Sequence, residues 1–156
     1  MNKTLLVALS LAAVGLIVTP LQRFQNEFGA MADGFLGPSQ WEPGVIATPD
    51  YGPSTCGAMK SLKRHAAGDI DYPMAQAYAC CLIVQRCIEV TGSLQPQALR
   101  RAASQLDVTT FYGRFRIEPH SGRQLGHVMP VIQWQNQMKT VVWPPHMRQQ
   151  RAMPWR

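Results

Sequence analysis

Among side chains able to act as nucleophiles, bases or metal ligands, the chain holds four cysteines and four histidines, and their spacing speaks against chemistry. Cys80, Cys81 and Cys87 fall in one predicted helix, where neighbours one and seven residues apart do not readily meet disulfide geometry. That leaves Cys56 as a bridging partner, and buried free thiols are the expectation. No CxxC pair, HExxH motif or His/Cys cluster at ligand spacing occurs, so neither a metal nor a cofactor is expected. His65, His120, His127 and His146 are scattered and read as surface or loop residues. No nucleophile, base and orienting group stand in a set that would suggest bond chemistry, and no enzyme activity is expected. Two short stretches stand where binding would occur. Thr19-Pro20 opens a predicted helix after a strand, and Gln40-Trp41 ends the next strand. Ligands of open α/β sheets bind beyond the carboxyl ends of strands, where free helix amides also collect.

Charge and aromatic pattern give nucleic acid little support. The net charge is +6, but Arg148, Arg151 and Arg156 supply half of it, and Lys60, Lys63, Arg64, Arg100 and Arg101 sit on outer faces of separate predicted helices. Phe111-Tyr112-Gly113-Arg114-Phe115-Arg116 has the alternation of an RNA-stacking strand, but lacks its leading basic-Gly pair and a second aromatic motif. Aromatics packed in a core are the preferred reading. With 156 residues, 46% hydrophobic and 15% charged, the chain suits one compact domain with a real core.

The elements that would position these residues centre on Asp71–Gly92, read as one long helix. Asp71 or Tyr72 caps it, Pro73 suits its first position and Gly92 its end. Met74, Ala77, Tyr78, Cys81, Leu82, Val84 and Ile88 recur at helical steps and small or apolar residues fill most other positions. Burial on most of the circumference is therefore expected. Upstream, Met1–Val18 has the look of an export signal, yet no small-x-small cleavage pattern follows the apolar run, which is also too short to span a membrane. The reading adopted is structural: Thr4–Leu9 closes a helix, Ala12–Val18 is a buried parallel strand, and Thr19 caps a helix with Pro20 first. Leu21, Phe24 and Phe28 face inward on that helix, Gly29 stops it, and Phe35–Trp41 is the second strand of a βαβ unit. After a proline- and glycine-rich loop, Ser54 caps a helix over Thr55–Ala67, with Gly68 at its end. A short helix over Gln97–Leu106 follows the long one. The period then changes to two: Phe111, Gly113, Phe115 and Ile117 alternate with polar residues in a strand, Gln124–Trp134 returns interrupted at Pro130, and Lys139–Trp143 follows. The fold class is thus α/β, a parallel βαβ unit followed by helices and a closing antiparallel strand pair.

Several stretches line up in order: Gly34-Phe35-Leu36-Gly37-Pro38-Ser39-Gln40-Trp41-Glu42-Pro43, Asp71-Tyr72-Pro73-Met74-Ala75-Gln76-Ala77-Tyr78-Ala79, then Phe111–Ile117 with Gly122-Arg123-Gln124-Leu125-Gly126-His127 and Gln133-Trp134. Together they resemble the carboxy-terminal part of type I periplasmic binding proteins, the leucine-binding-like substrate-binding components of ABC transporters for branched-chain amino acids and related solutes. The resemblance runs over roughly Leu5 to Pro145. It implies a domain over 1–145, part of a two-lobed protein whose first lobe and signal lie upstream, and leaves 146–156 as a loose basic tail. It further implies a periplasmic location, a small solute bound by hinge closure, an ABC permease as partner in the full-length protein, and no stable membrane insertion. By the same resemblance Val18, Thr19 and Pro20 line the cleft, and Trp41 and Tyr51 pack on the solute beside Gln40. No Asp or Glu stands between Gly15 and Gln22 to meet an amino group, so an amide, a short acid or an aromatic solute fits as well as an amino acid. The alternative is a small exported α/β protein with a cleaved amino-terminal signal, acting through protein contacts.

Overall fold

The computed structural model describes residues 13–45 and 48–154. The predicted helix over Thr4–Leu9 lies outside them, as does the start of the predicted strand at Ala12. A first unit is built on a parallel pair, β1 (Val14–Gly15) beside β2 (Phe35–Pro38), with Val14 opposite Phe35. Between them run α1 (Gln22–Phe28) and a 3-10 turn (Gly29–Ala32), so the predicted βαβ unit is present.

Its details correct the expectation. Leu16 keeps one hydrogen bond to the Leu36 carbonyl, after which Ile17 and Val18 leave the sheet, and the three are 41%, 78% and 51% exposed, so most of Ala12–Val18 is not a buried strand. The chain instead folds over Gly37, whose missing side chain admits Leu16, Thr19 and Pro20 against the sheet. Helix α1 starts at Gln22, not at Pro20, and Leu21 in the N-cap position offers no side-chain cap. Thr19 does not cap because it is fully buried, its carbonyl accepting the Trp134 indole N–H at 2.8 Å. Phe24 faces the core as expected, whereas Phe28 stays exposed. Gly29 ends the helix with φ 55°.

Two antiparallel strands, β5 (Val131–Gln135) and β6 (Met138–Trp143), extend the sheet to the order β1-β2-β5-β6. Asn136 and Gln137 turn the β5–β6 hairpin, both at positive φ, the sign that matches strand twist in a two-residue turn. Phe24, Ala32, Ile132, Trp134 and Val141 form the core on one sheet face. By alternation Gln133 and Gln135 point to the other face, where both are buried. There Gln133 donates to the Met153 carbonyl and accepts the Met153 N–H, while Gln135 donates to the Arg151 carbonyl. Gln149 N–H also pairs with the Val141 carbonyl at 2.8 Å. The predicted loose tail is therefore tied down over 149–153. Its partners are side-chain amides and a strand edge, which leave no periodic trace in the tail's own sequence.

The second unit contains α2 (Thr55–His65), α3 (Tyr72–Thr91), α4 (Pro96–Gln105) and the antiparallel pair β3 (Asp107–Thr110) and β4 (Gly113–Arg116). Ser54 caps α2 as expected, its hydroxyl accepting the Gly57 N–H at 3.2 Å, although α2 ends before Gly68. Gly92 closes α3 in the left-handed conformation. The predicted single strand through Phe111–Ile117 is instead a hairpin folded at Phe111-Tyr112, with Gly113 at φ 132° leaving the turn. Likewise the predicted strand Gln124–Trp134 pairs as β5 only from Val131, Gln124 making one bridge to Ile117.

Burial of α3 is much narrower than its composition implied. Ala75, Ala79, Leu82 and Cys87 are buried, packed with Ala58, Phe111 and Trp41 in the second core or, for Cys87, near the helix end. Met74, Cys80, Cys81, Val84 and Val90 are exposed, because α2, α4 and the hairpin cover one side of the helix only. The expectation of buried thiols holds for Cys87 and fails for Cys56, Cys80 and Cys81, which are exposed; all four are free. The chain passes between the units twice, through 39–54 and again through 117–130.

Candidate functional site

Where the two crossing segments meet the β3–β4 hairpin they are tied by one histidine. His127, on the second segment, lies with Nε2 2.7 Å from the carbonyl of Gln40 on the first. A carbonyl only accepts, so Nε2 carries the proton and Nδ1 is the acceptor of the neutral ring. The ring stacks on Tyr112 at the hairpin tip, 5.0 Å between centroids and 11° between planes. Burial pulls the His127 pKa down and the hydrogen bond to Gln40 pulls it partly back. Gly113 makes room for this arrangement: a Cβ there would stand 2.9 Å from His127 Nδ1.

A cleft of about 400 Å³ opens between these residues and α3. Ala79, Ile83 and Val84 give it an apolar wall, and Gln40, Gln76 and Gln124 contribute amides. The Tyr112 hydroxyl is buried with no hydrogen-bond partner among the described residues, and burial raises its pKa far above the ordinary phenol value. Tyr112 therefore stays protonated and a potential donor. The charged residue on the wall is Arg114, already held by Asp107 in a two-point contact of 2.7 and 2.6 Å, which lowers the Asp107 carboxyl. No carboxylate lines the cleft among the described residues. An adjoining cavity of about 260 Å³ shares Gln40, Tyr112 and His127 and reaches Trp41 and Glu42. The arrangement suits a small molecule with an apolar body and a neutral or anionic hydrogen-bonding end.

A second polar group lies deeper between the units. Lys139 on β6 donates to Asp71 Oδ1 and to the Pro20 carbonyl, each at 2.9 Å. Its Nζ is 3.8 Å from Glu42 Oε2 on the first crossing segment. Asp71 stands in the N-cap position of α3 but gives that helix no side-chain cap. Its Oδ2 accepts the first amide of α1, at Gln22, at 2.8 Å. Burial raises the Glu42 carboxyl, and the Lys139 charge offsets part of that rise.

The residues expected at a site are gathered only in part. Gln40 lines the cleft, and Trp41 stands on the adjoining cavity while its indole donates to the Phe111 carbonyl at 3.2 Å in the core. Val18 is exposed beyond β1, and Thr19 and Pro20 are buried beneath that turn. None of these three lines the cleft. Tyr51 donates to Glu89 at 2.9 Å with Arg86 5.3 Å from its ring centroid, and also lies off the cleft wall. Tyr112 and His127 carried no functional assignment from the sequence. Tyr112 was read as part of a continuous strand, and His127 is an isolated histidine whose partner is a main-chain carbonyl 87 residues away.

Among the described residues no group of His, Cys, Asp and Glu could hold a metal ion, and no helix is long and apolar enough to cross a membrane. Neither a protein-family model nor a curated protein matches the chain. Its fold is similar to that of an extracellular ligand-binding receptor from Rhodopseudomonas palustris, at 14% identity and a TM-score of 0.59. The match covers 78% of this chain and 38% of the receptor, so the chain spans well under half of that protein's length. The likeness is one of fold: a mixed α/β architecture shared with part of that receptor.

Proposed function

We propose that the chain is part of a type I, leucine-binding-like substrate-binding protein of an ABC transporter, which holds a small solute and delivers it to a membrane permease. One observation carries this reading: two units with separate cores are joined by two crossing segments, and a cleft lies where those segments are tied by His127 and Gln40. Binding by closure needs such a geometry, since the solute stabilises the closed angle between bodies that otherwise swing. The similar receptor is extracellular, which supports an exported, periplasmic setting for this chain. Within the class, the wall without a carboxylate favours an amide or a short acid over a free branched-chain amino acid. Gln40 meets the solute and Trp41 backs the adjoining wall, while Val18, Thr19, Pro20 and Tyr51 stand outside both cavities and take no part in this reading.

Calorimetry and thermal melting with leucine, valine, short amides, short acids and aromatic acids test this. A solute at about 100 times its Kd adds about 2.7 kcal/mol, which raises Tm by roughly 5–10 °C for a chain of this size. Tyr112→Phe and Gln40→Ala should diminish that rise. A panel in which every member leaves Tm and heat unchanged at millimolar concentration overturns the assignment.

A further inference from the structure

We infer that Lys139 is a latch between the two units, closed on Asp71 in this structure and passed to Glu42 when the units swing apart. The inference deepens the solute-clasping reading and rests on it for its purpose, since it names what sets the angle between the bodies. Three separate parts of the chain converge on one ammonium: Asp71 from the start of α3 in the second unit, Pro20 from the end of the β1 turn in the first, and Glu42 from the crossing segment between them. Lys139 and Asp71 are each less than one fifth exposed, and Glu42 is 7% exposed. A buried ammonium without a counter-charge is strongly disfavoured, so it does not simply let go of Asp71; it needs a second acceptor.

Glu42 is placed to be that acceptor. Rotation about the crossing segments moves a point on α3 much further than a point on the segment itself, so Asp71 departs while Glu42 stays near. At 3.8 Å, Glu42 is within reach of Lys139 but beyond hydrogen-bond distance, whereas Asp71 and Pro20 are at 2.9 Å. The three contacts are thus ranked, with one carboxylate engaged and one in reserve. The same motion also releases the Gln22 N–H, since Asp71 Oδ2 holds it while Oδ1 holds Lys139. Closure therefore caps α1 from the other unit, and opening frees the first turn of α1 beside the β1 edge.

Residual dipolar couplings, which report the angle between the units, and amide exchange at Gln22 test the latch on the whole chain without any solute. Asp71→Asn should change the angle and speed Gln22 exchange on the order of tenfold. Lys139→Met, which keeps an apolar stem against Trp134, should change the angle in the same sense. Glu42→Gln should hold the wild-type angle, and the Asp71→Asn, Glu42→Gln pair should lose more stability than the two singles together. If either Asp71→Asn or Lys139→Met keeps the wild-type angle, or if the pair is additive, the latch is wrong. Because no solute enters these measurements, the latch can fail while the solute panel succeeds, and the reverse.

Discussion

His127, half-buried, and Glu42, buried, are titratable side chains whose pKa values move in opposite directions for the same reason: burial disfavours their charged forms. For His127 the folded value falls below the ordinary 6.5, so acid protonates the unfolded chain first. Its contribution to stability is full above that ordinary value and is lost as pH falls through the depressed one. Urea midpoints measured from about pH 8 to about pH 5 should decline toward acid, and His127→Gln should flatten the decline. An unchanged slope in that variant would move the proton uptake to another group. For Glu42 the folded value is raised, so its contribution is present at acid pH and lost as pH rises through the raised value. Glu42→Gln should accordingly raise the urea midpoint at neutral pH and leave it alone in acid; a fall at neutral pH would show that Lys139 more than compensates the buried carboxylate. Neither environment was legible in the sequence, because each is made by residues far along the chain, Gln40 for His127 and Lys139 for Glu42.

At the scale of elements, Gly37 governs how β1 hands the chain to α1. A Cβ there would stand 2.7 Å from the Leu16 carbonyl oxygen and 2.7 Å from Thr19 Cβ, both fixed by the turn. Gly37→Ala should cost about 1–3 kcal/mol, a Tm loss of roughly 2–4 °C per kcal/mol. Gly15→Ala, whose added carbon would meet the Leu36 carbonyl at 3.8 Å, is the mild control. Equal melting temperatures for the two variants would show that the turn yields. Elements whose ends are marked locally were readable: Ser54 opens α2, and Gly92 closes α3. The start of α1 was not, because its cap is Asp71, 49 residues away. The β3–β4 hairpin was hidden for another reason. Phe111 to Ile117 keeps a period of two across the turn, and only the backbone of Gly113 reveals that the strand folds back.

Over the whole molecule, the α/β class and the parallel pairing of β1 with β2 were visible from strand–helix–strand order. The division into two cores was not, since both crossing segments read as ordinary loops. What α3 leaves uncovered has a consequence in solution. Met74, Val84 and Val90, at 37%, 51% and 58% exposure, lie with Cys80 and Cys81 on a helix whose sequence is apolar nearly all round. Concentration-dependent association should appear in sedimentation velocity, and Val84→Lys should weaken it; a single monomeric species at every concentration would show that water tolerates this face. The carboxyl-terminal strap has a different consequence. Gln133 and Gln135 hold it through the main-chain groups of Met153 and Arg151, with no side chain of either residue taking part. Such a clasp reads spacing and is blind to spelling. Over 151–153 the identity of residues is therefore free to drift under mutation, unlike Gln149, whose Oε1 accepts the Val141 N–H, whereas removing or adding a single residue shifts every peptide unit out of step with its amide.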